Sequence, residues 1–416
     1  MINTRPLTDM DQVAASYIKL VLSVGLQDPD YVDAYYGPPE LRAQVDAEQP
    51  SLDMIRESAS AALSRARSLA PPPNDEMLSL RLQYLTRQLE SLVARVEMLQ
   101  GTKLSFDEEA KALYDVLPPL HPEEYFKEIL EELGSVLPGQ GPIPRRYESY
   151  KSGFIISRGR LNAVFHAAVE ESRERTRRHL TLPGNESFVI EYVTKKSWSG
   201  YNWYKGSSHS LIQINTDLPI YIDRAVDLAS HEGYPGHHVY NALLERHLVR
   251  ERGWMEFTVY ALFSPQSLIA EGTANFGIDM AFPEAERVGF EREVLFPAAG
   301  MDGNRAEDYY RIHALVARLN YAGNEAARGY LNGSMTREQA AEWLVNYALM
   351  SPERAQQRTR FFDQYRSYVI NYNLGQDLVK RYIESRGGTA DNPEKRWEEF
   401  GKLLSSPRLP SGLKEV

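Results

Sequence analysis

Only nine histidines occur in the 416 residues, and three of them fall within one run of eight: His231-Glu232-Gly233-Tyr234-Pro235-Gly236-His237-His238. Two imidazoles and a carboxylate form the donor set of a catalytic zinc, and a glutamate beside the first histidine is placed to work on the water that such a metal activates. The ion lowers the pKa of that water towards neutrality. Glu232 can then take its proton and return one to a leaving amine. His231 and His237 are therefore candidate ligands of one Zn2+ ion and Glu232 is the candidate general base. His238 competes with His237 for the second imidazole position.

The spacing sets a condition on the backbone. Histidines four apart on a helix lie about 6 Å apart along its axis and share a face. Here the fourth position after His231 is Pro235, and His237 is six positions on, about 9 Å along an unbroken helix and on another face. Nitrogens held about 2.0–2.1 Å from one ion cannot be that far apart. Proline removes a helical hydrogen bond and glycine admits backbone angles that other residues avoid, so Pro235-Gly236 is expected to break the helix and swing His237 back beside His231. The third ligand belongs on a following helix. Glu271 stands in the apolar stretch Ser267-Leu268-Ile269-Ala270-Glu271-Gly272-Thr273-Ala274, where a lone charge is expensive to bury without a partner or a metal. Gly272 beside it allows backbone or substrate to come close, and Asp279 is the fallback ligand.

The elements that must carry these residues are mostly helical. Thr8 and Asp11 form a capping-box pattern for a helix running to about Leu26. Helices are also expected over Ser51 to Leu69, from Asp75 onward, over Glu123 to Leu133 and over Arg158 to His179. In the Asp75 helix Leu78, Leu82, Leu85, Leu89, Leu92, Val96 and Leu99 alternate spacings of four and three, and Gly101 closes it. So short a stripe reads as bundle core rather than a coiled-coil seam. Pro71-Pro72-Pro73 separates two of these helices, and Pro138-Gly139-Gln140-Gly141-Pro142 is a loop and candidate hinge. Phe188 to Val193 and His209 to Asn215 alternate like strands around the turn residues Lys205-Gly206-Ser207-Ser208, which suggests a small antiparallel sheet. Beyond Pro219 the pattern is helical again, interrupted at Pro235-Gly236, Pro265, Pro283 and Asn332-Gly333 and ended by Arg386-Gly387-Gly388. Two lobes are expected, a helical one over 1–190 and a metal-binding one over 191–416.

The run HEGYPGHH resembles the His-Glu-x-x-Pro-Gly-His-His signature of the bacterial domain-of-unknown-function-885 family, whose members resemble gluzincin-type zinc metallopeptidases, including the carboxypeptidase Taq group. Ala270-Glu271-Gly272-Thr273-Ala274 is similar to that family's Glu-Gly-x-Ala segment, with Thr273 where an aromatic is usual. Thr336-Arg337-Glu338-Gln339-Ala340 and Tyr372-Asn373-Leu374-Gly375-Gln376 resemble two later segments, so the likeness runs over about residues 190–390. It implies a metal role for Glu271 and a mainly α, zincin-like helical fold with a small antiparallel β-sheet before the metal-binding helix. One family feature is missing: after Arg318 the chain reads Asn320-Tyr321-Ala322-Gly323-Asn324-Glu325, without the Asp-Thr-Gly-x-His stretch.

Three further residues or segments have candidate roles. Tyr372 is a candidate donor to the oxyanion of a tetrahedral intermediate, with a plain core tyrosine as the alternative. Arg318 is a candidate clamp for a substrate carboxylate, and the 209–215 strand for aligning an extended peptide. Composition narrows the partners. With 47 basic and 57 acidic side chains the formal charge is −10, which disfavours broad nucleic-acid binding. Cysteine is absent, which excludes disulfides and thiolate chemistry and agrees with a cytoplasmic location. No apolar run approaches the roughly 18–20 residues of a membrane span. The combined expectation is a zinc-dependent metallopeptidase for short peptides, its substrate lying in a cleft between the two halves. A metal hydrolase of a non-peptide amide or ester, or a catalytically inactive helical binding protein, are the competing readings.

Overall fold

The computed structural model describes residues 8–414. Helices carry most of the chain, and they begin and end close to where the sequence signals place them. Asp9–Gln27 opens with the Thr8–Asp11 capping box, Leu52–Ser68 opens on the Ser51 cap, and Glu76–Leu99 opens on the Asp75 cap. Leu85, Leu89, Leu92 and Val96 are fully buried, and Leu78, Leu82 and Leu99 pack half-buried against the same core. Each fully buried side chain of this kind contributes about 1.5–3 kcal/mol relative to exposure. The stripe is bundle core.

The polar residues of the Glu76–Leu99 helix have a separate task. Arg81 donates to both oxygens of buried Glu256 at 2.6 and 3.0 Å, the Tyr84 hydroxyl donates to Gln266 at 2.6 Å, and the Ser91 hydroxyl donates to the Phe263 carbonyl at 2.9 Å. These bonds hold the segment that leads into one helix, Pro265–Ala281, which carries Glu271. That helix is apolar nearly all round and is buried along almost its whole length, as expected of a central element. Its main partner is Ile370–Ser385, the helix of Tyr372. The two cross where Gly272 meets Gly375. A Cβ on Gly272 would lie 2.5 Å from the Gly375 carbonyl carbon, and one on Gly375 would lie 2.8 Å from the Leu268 carbonyl oxygen. The freedom of approach expected at Gly272 is used by backbone.

The largest core draws on Val13, Leu89, Phe263, Ile269, Ile370 and Leu404 alike. Residue 190 is therefore not a boundary between cores. Two smaller clusters are centred on Phe154, Phe296 and Tyr309, and on Phe126, Ile312 and Leu349.

Among the described residues five strands complete the fold: β1 (Val32–Tyr35), β2 (Ser187–Val193), β3 (Gly200–Gly206), β4 (His209–Asn215) and β5 (Val259–Ala261). The sheet expected before the metal-binding helix is present, in the order β2-β4-β3. Its antiparallel pair is β3 with β4, joined through Gly206, Ser207 and Ser208, all at positive φ. β2 runs parallel to β4, from Ser187 opposite His209 to Val193 opposite Asn215. The two strands read from sequence are thus neighbours but not a hairpin. The intervening strand, GYNWYKG, goes unread because the polar Asn202 is buried while the aromatic Tyr201 and Trp203 are only half-buried, which hides the usual apolar alternation. β4 has a partner on each side, so it cannot take up a substrate strand as expected; the edge strands are β2 and β3. β1 pairs antiparallel with β5, and both are too short to show a period.

Gly375→Ala forces the two central helices apart. Overpacking of this kind costs about 1–3 kcal/mol. A lowered midpoint in a thermal melt followed by circular dichroism is the expected result.

Candidate metal centre

The helix Asp223–Leu228 passes into a wider π-turn over Ala229–Gly233 and stops. The Tyr234 amide reaches back five residues to the Ala229 carbonyl at 3.1 Å, and the Gly236 amide six residues to Ser230 at 2.9 Å. A new helix, His237–Leu244, then starts. Only glycine fits at 236, since a Cβ there would lie 1.9 Å from the His231 carbonyl oxygen. The result is the reversal that the spacing demanded: the His231 and His237 rings are 4.6 Å apart between centroids and nearly perpendicular, at 88°.

Glu271 completes the group. Its Oε2 lies 3.1 Å from Nε2 of His231 and 3.7 Å from Nε2 of His237. Donor atoms bound about 2.0–2.1 Å from one tetrahedral ion stand about 3.3 Å apart, so these separations suit a shared ion. All three donor atoms lie within 4.8 Å of one another. Glu271 Oε2 is buried and makes no hydrogen bond despite its two imidazole neighbours, as when lone pairs are aimed at a common point. The residues present fit a metal.

Surrounding groups hold the three donors. His231 Nδ1 is 2.8 Å from Asn275 Oδ1, which leaves Nε2 facing the group, and Asn275 in turn donates to the Tyr372 carbonyl at 2.8 Å. The Tyr368 hydroxyl donates to Glu271 Oε1 at 2.7 Å. Burial opposes ionisation of Glu271, but the two imidazoles outweigh it and hold the carboxyl far below its usual range. Burial likewise opposes a charged His237, and Glu271 overrides it, raising the imidazole to about 9. Glu232 is buried beside the group with Oε2 unpartnered, and burial pushes its carboxyl above the ordinary value. Gly200 of β3 makes room for it: a Cβ there would lie 2.8 Å from Glu232 Oε1.

These residues line a cleft of about 340 Å³ together with Asp33, Gly200, Tyr201, Arg224, Arg354, Arg358 and Tyr372. Tyr372, the candidate oxyanion donor, lines the cleft with its ring 6.4 Å from that of His231. Other expectations need correction. His238 turns away and is fully buried, with Nδ1 2.9 Å from Ser210 Oγ and Nε2 3.2 Å from Glu186. Asp279, two turns beyond Glu271, accepts from Gln376 at 3.1 Å and is not part of the group. Arg318 is exposed and pairs with Glu132 at 2.5 Å, outside the cleft. Of the described residues up to 190 the cleft takes only Asp33, so its described walls belong almost wholly to the second half of the chain. Asn275, Tyr368, Asp33, Arg354 and Arg358 escape a reading of the sequence. The one available signal is spacing, since Asn275 follows Glu271 by four and Arg358 follows Arg354 by four.

No family model and no curated protein matches the sequence. Solved structures do share its fold. A protein provisionally named a lipoprotein, from Colwellia psychrerythraea, is 14% identical with a TM-score of 0.52, covering 90% of this chain and 65% of its own, so this chain spans less than two thirds of that relative. A second provisionally named lipoprotein, of unknown function, from Shewanella oneidensis is 12% identical with a TM-score of 0.51, covering 100% and 89%. An M32 carboxypeptidase from Deinococcus radiodurans R1 is 11% identical with a TM-score of 0.48, covering 98% and 93%. Likeness at this level is one of fold, mainly α with a small sheet. The domain-of-unknown-function-885 resemblance rests on its motifs alone. Among the described residues no helix is long and apolar enough to cross a membrane. Because two neighbours carry a lipoprotein name, a cytoplasmic location remains a reading of composition.

The groups around the histidines can be tested singly. Asn275→Ala frees the His231 ring and is expected to weaken metal binding about 10–100-fold, as read by competition with a chromophoric chelator. Glu186, buried between His238, Tyr234 and Arg173, shows the opposite balance to Glu232: burial raises its carboxyl, but these donors prevail and lower it from 4.5 to about 2. Its contribution to stability is complete above pH 4.5 and is lost as the pH falls through about 2. Glu186→Gln is expected to flatten the acid limb of a stability-against-pH curve measured by urea unfolding.

Proposed function

We propose that this chain is a metal-dependent hydrolase of peptide bonds, a zinc metallopeptidase acting on short peptides. The observation that carries the reading is the convergence of His231, His237 and Glu271 in a cleft, with the unpartnered carboxyl of Glu232 beside them. Two imidazoles and one carboxylate are the donor set of catalytic zinc sites that keep a coordination position open. When bound, zinc supplies a Lewis acid that acidifies water and polarises the scissile carbonyl.

The chain's own residues do the rest. Glu232, desolvated and raised from the usual carboxylate range, is suited to take a proton from the attacking water and pass one to the leaving amine near neutral pH. Tyr372 lines the same cleft and is the candidate donor to the developing oxyanion. Gly200, Tyr201 and Asn202 of the edge strand β3 also line it, so an extended peptide has backbone to pair with there rather than on β4. Asn202 steadies the base by donating from its side chain to the Glu232 carbonyl at 2.7 Å.

Glu232→Gln keeps the three donor side chains and removes the base. It is expected to bind zinc stoichiometrically, as measured by atomic absorption, while turnover of a peptide library falls about 10²–10⁴-fold. Unchanged turnover in that variant overturns the mechanism.

A further inference from the structure

We propose that the wall of the cleft formed by Arg354 and Arg358 is a subsite for a dicarboxylic chain end, so that the preferred substrate is a peptide whose last residue is aspartate or glutamate. The proposal deepens the peptidase reading and rests on it for the word substrate. The subsite itself stands on two guanidinium groups.

Arg354 and Arg358 lie four apart on the helix Pro352–Tyr365, so they share a face, and both line the cleft that contains His231, His237, Glu271 and Glu232. Among the described residues neither has a carboxylate within 4.0 Å. Arg354 donates only to neutral acceptors, Ser199 Oγ at 2.5 Å and Gln357 Oε1 at 2.9 Å. Arg358 Nε is buried with no partner at all, its guanidinium lying 4.4 Å from the centre of the Phe361 ring and 5.7 Å from that of Tyr372. Several other arginines withdrawn from solvent are paired, Arg81 with Glu256, Arg95 with Asp28, Arg287 with Glu291 and Arg328 with Glu325, while Arg396, outside the cleft, has an unpartnered Nε and lies over the Phe276 ring.

A buried charge without a counterion is costly, and here two stand side by side. Burial, and after it the neighbouring charges of Arg224 and Arg358, lower the Arg354 guanidinium to about 10. Asp227, the acid beside Arg224 in the cleft, brings no relief, because it is already engaged by Arg224 at 3.0 Å and Arg287 at 2.8 Å. One carboxylate neutralises one guanidinium, and the planar fork of arginine suits a bidentate contact. A single chain-end carboxylate therefore leaves one of the pair unmatched. A terminal aspartate or glutamate supplies both charges from one residue. Space for its side chain exists, since a second cavity of about 270 Å³ shares Arg354, Arg224 and Ser199 with the cleft and is also lined by Lys151.

The test uses the full chain freed of metal by chelation and isothermal titration with N-acetylglutamate, N-acetylglutamine and the α-amide of N-acetylglutamate. A charge-assisted bond of about 1.5–3 kcal/mol corresponds to about 10–100-fold, so N-acetylglutamate is expected to bind tighter than either neutralised form by that factor. Arg354→Met and Arg358→Met are each expected to erase the preference, while Arg318→Met, on the exposed surface, preserves it. Equal affinity for the three ligands overturns the subsite without reference to any variant, and so does a preference that survives both cleft substitutions. Tight dicarboxylate binding in a zinc-loaded protein that cleaves no peptide keeps the subsite and overturns the peptidase reading. Cleavage indifferent to the terminal residue keeps the peptidase and overturns the subsite.

Discussion

Glu271 is a full negative charge in the middle of the largest core, and much of the architecture serves to keep it there. A carboxylate so placed needs compensating groups on every side it presents. They come from three separate parts of the chain: His231 from the end of a helix, His237 from the start of the next, and Tyr368 from a segment 97 residues downstream. The close crossing of Gly272 and Gly375 makes the last contribution possible, because any side chain there would hold Tyr368 and Tyr372 away. The polar bonds from Arg81, Tyr84 and Ser91 then fix the same helix from its other end. Distant parts of the chain are thus tied together by one residue's need for partners.

The cleft is electrically lopsided. Asp33, Glu232 and Glu271 gather with the two histidines, while Arg354, Arg358 and Arg224 form a basic wall. Separation of this kind orients a ligand before any chemistry occurs, since a polar molecule entering a low-dielectric slot has one favourable way round. Glu186 shows the structural counterpart, a buried carboxylate whose hydrogen-bond and charge partners all belong to the protein. Its neighbourhood is full, whereas the arginine wall has donors to spare. The contrast between a satisfied and an unsatisfied charge is what separates scaffold from site in this molecule.

The helices are legible in the sequence because their caps and apolar stripes are local facts: Thr8 and Asp11, Ser51 and Asp75 each declare a helix start, and the leucine stripe declares a buried face. The metal group is legible for a different reason. An odd histidine spacing across Pro235-Gly236 makes sense only if the backbone breaks, and Glu271 stands out as a charge among apolar neighbours. The remainder depends on pairings between distant segments. Whether β2 meets β4 parallel or antiparallel turns on a strand whose side chains do not alternate in the ordinary way. That His238 faces Glu186 while His237 faces Glu271 depends on the shape of the break, not on the residue types. Arg354 and Arg358 look like surface arginines in a polar helix, because nothing in their own segment says that no acid is near them in space.

A neighbouring cavity that shares Trp198 and Tyr201 with the cleft carries an aromatic row, with the rings of Trp198 and Tyr201 5.3 Å apart and those of Tyr201 and Trp203 4.5 Å apart. Lys196 and Lys205 sit over the two indoles, each 5.6 Å from a ring centre. The other three of the five tryptophans, Trp254, Trp343 and Trp397, line neither the cleft nor the cavities beside it. Indole fluorescence shifts with the polarity and charge around the ring, so this protein has its own optical gauge. Whatever occupies the cavity beside the cleft will alter the emission of two rings against a background of three that lie elsewhere.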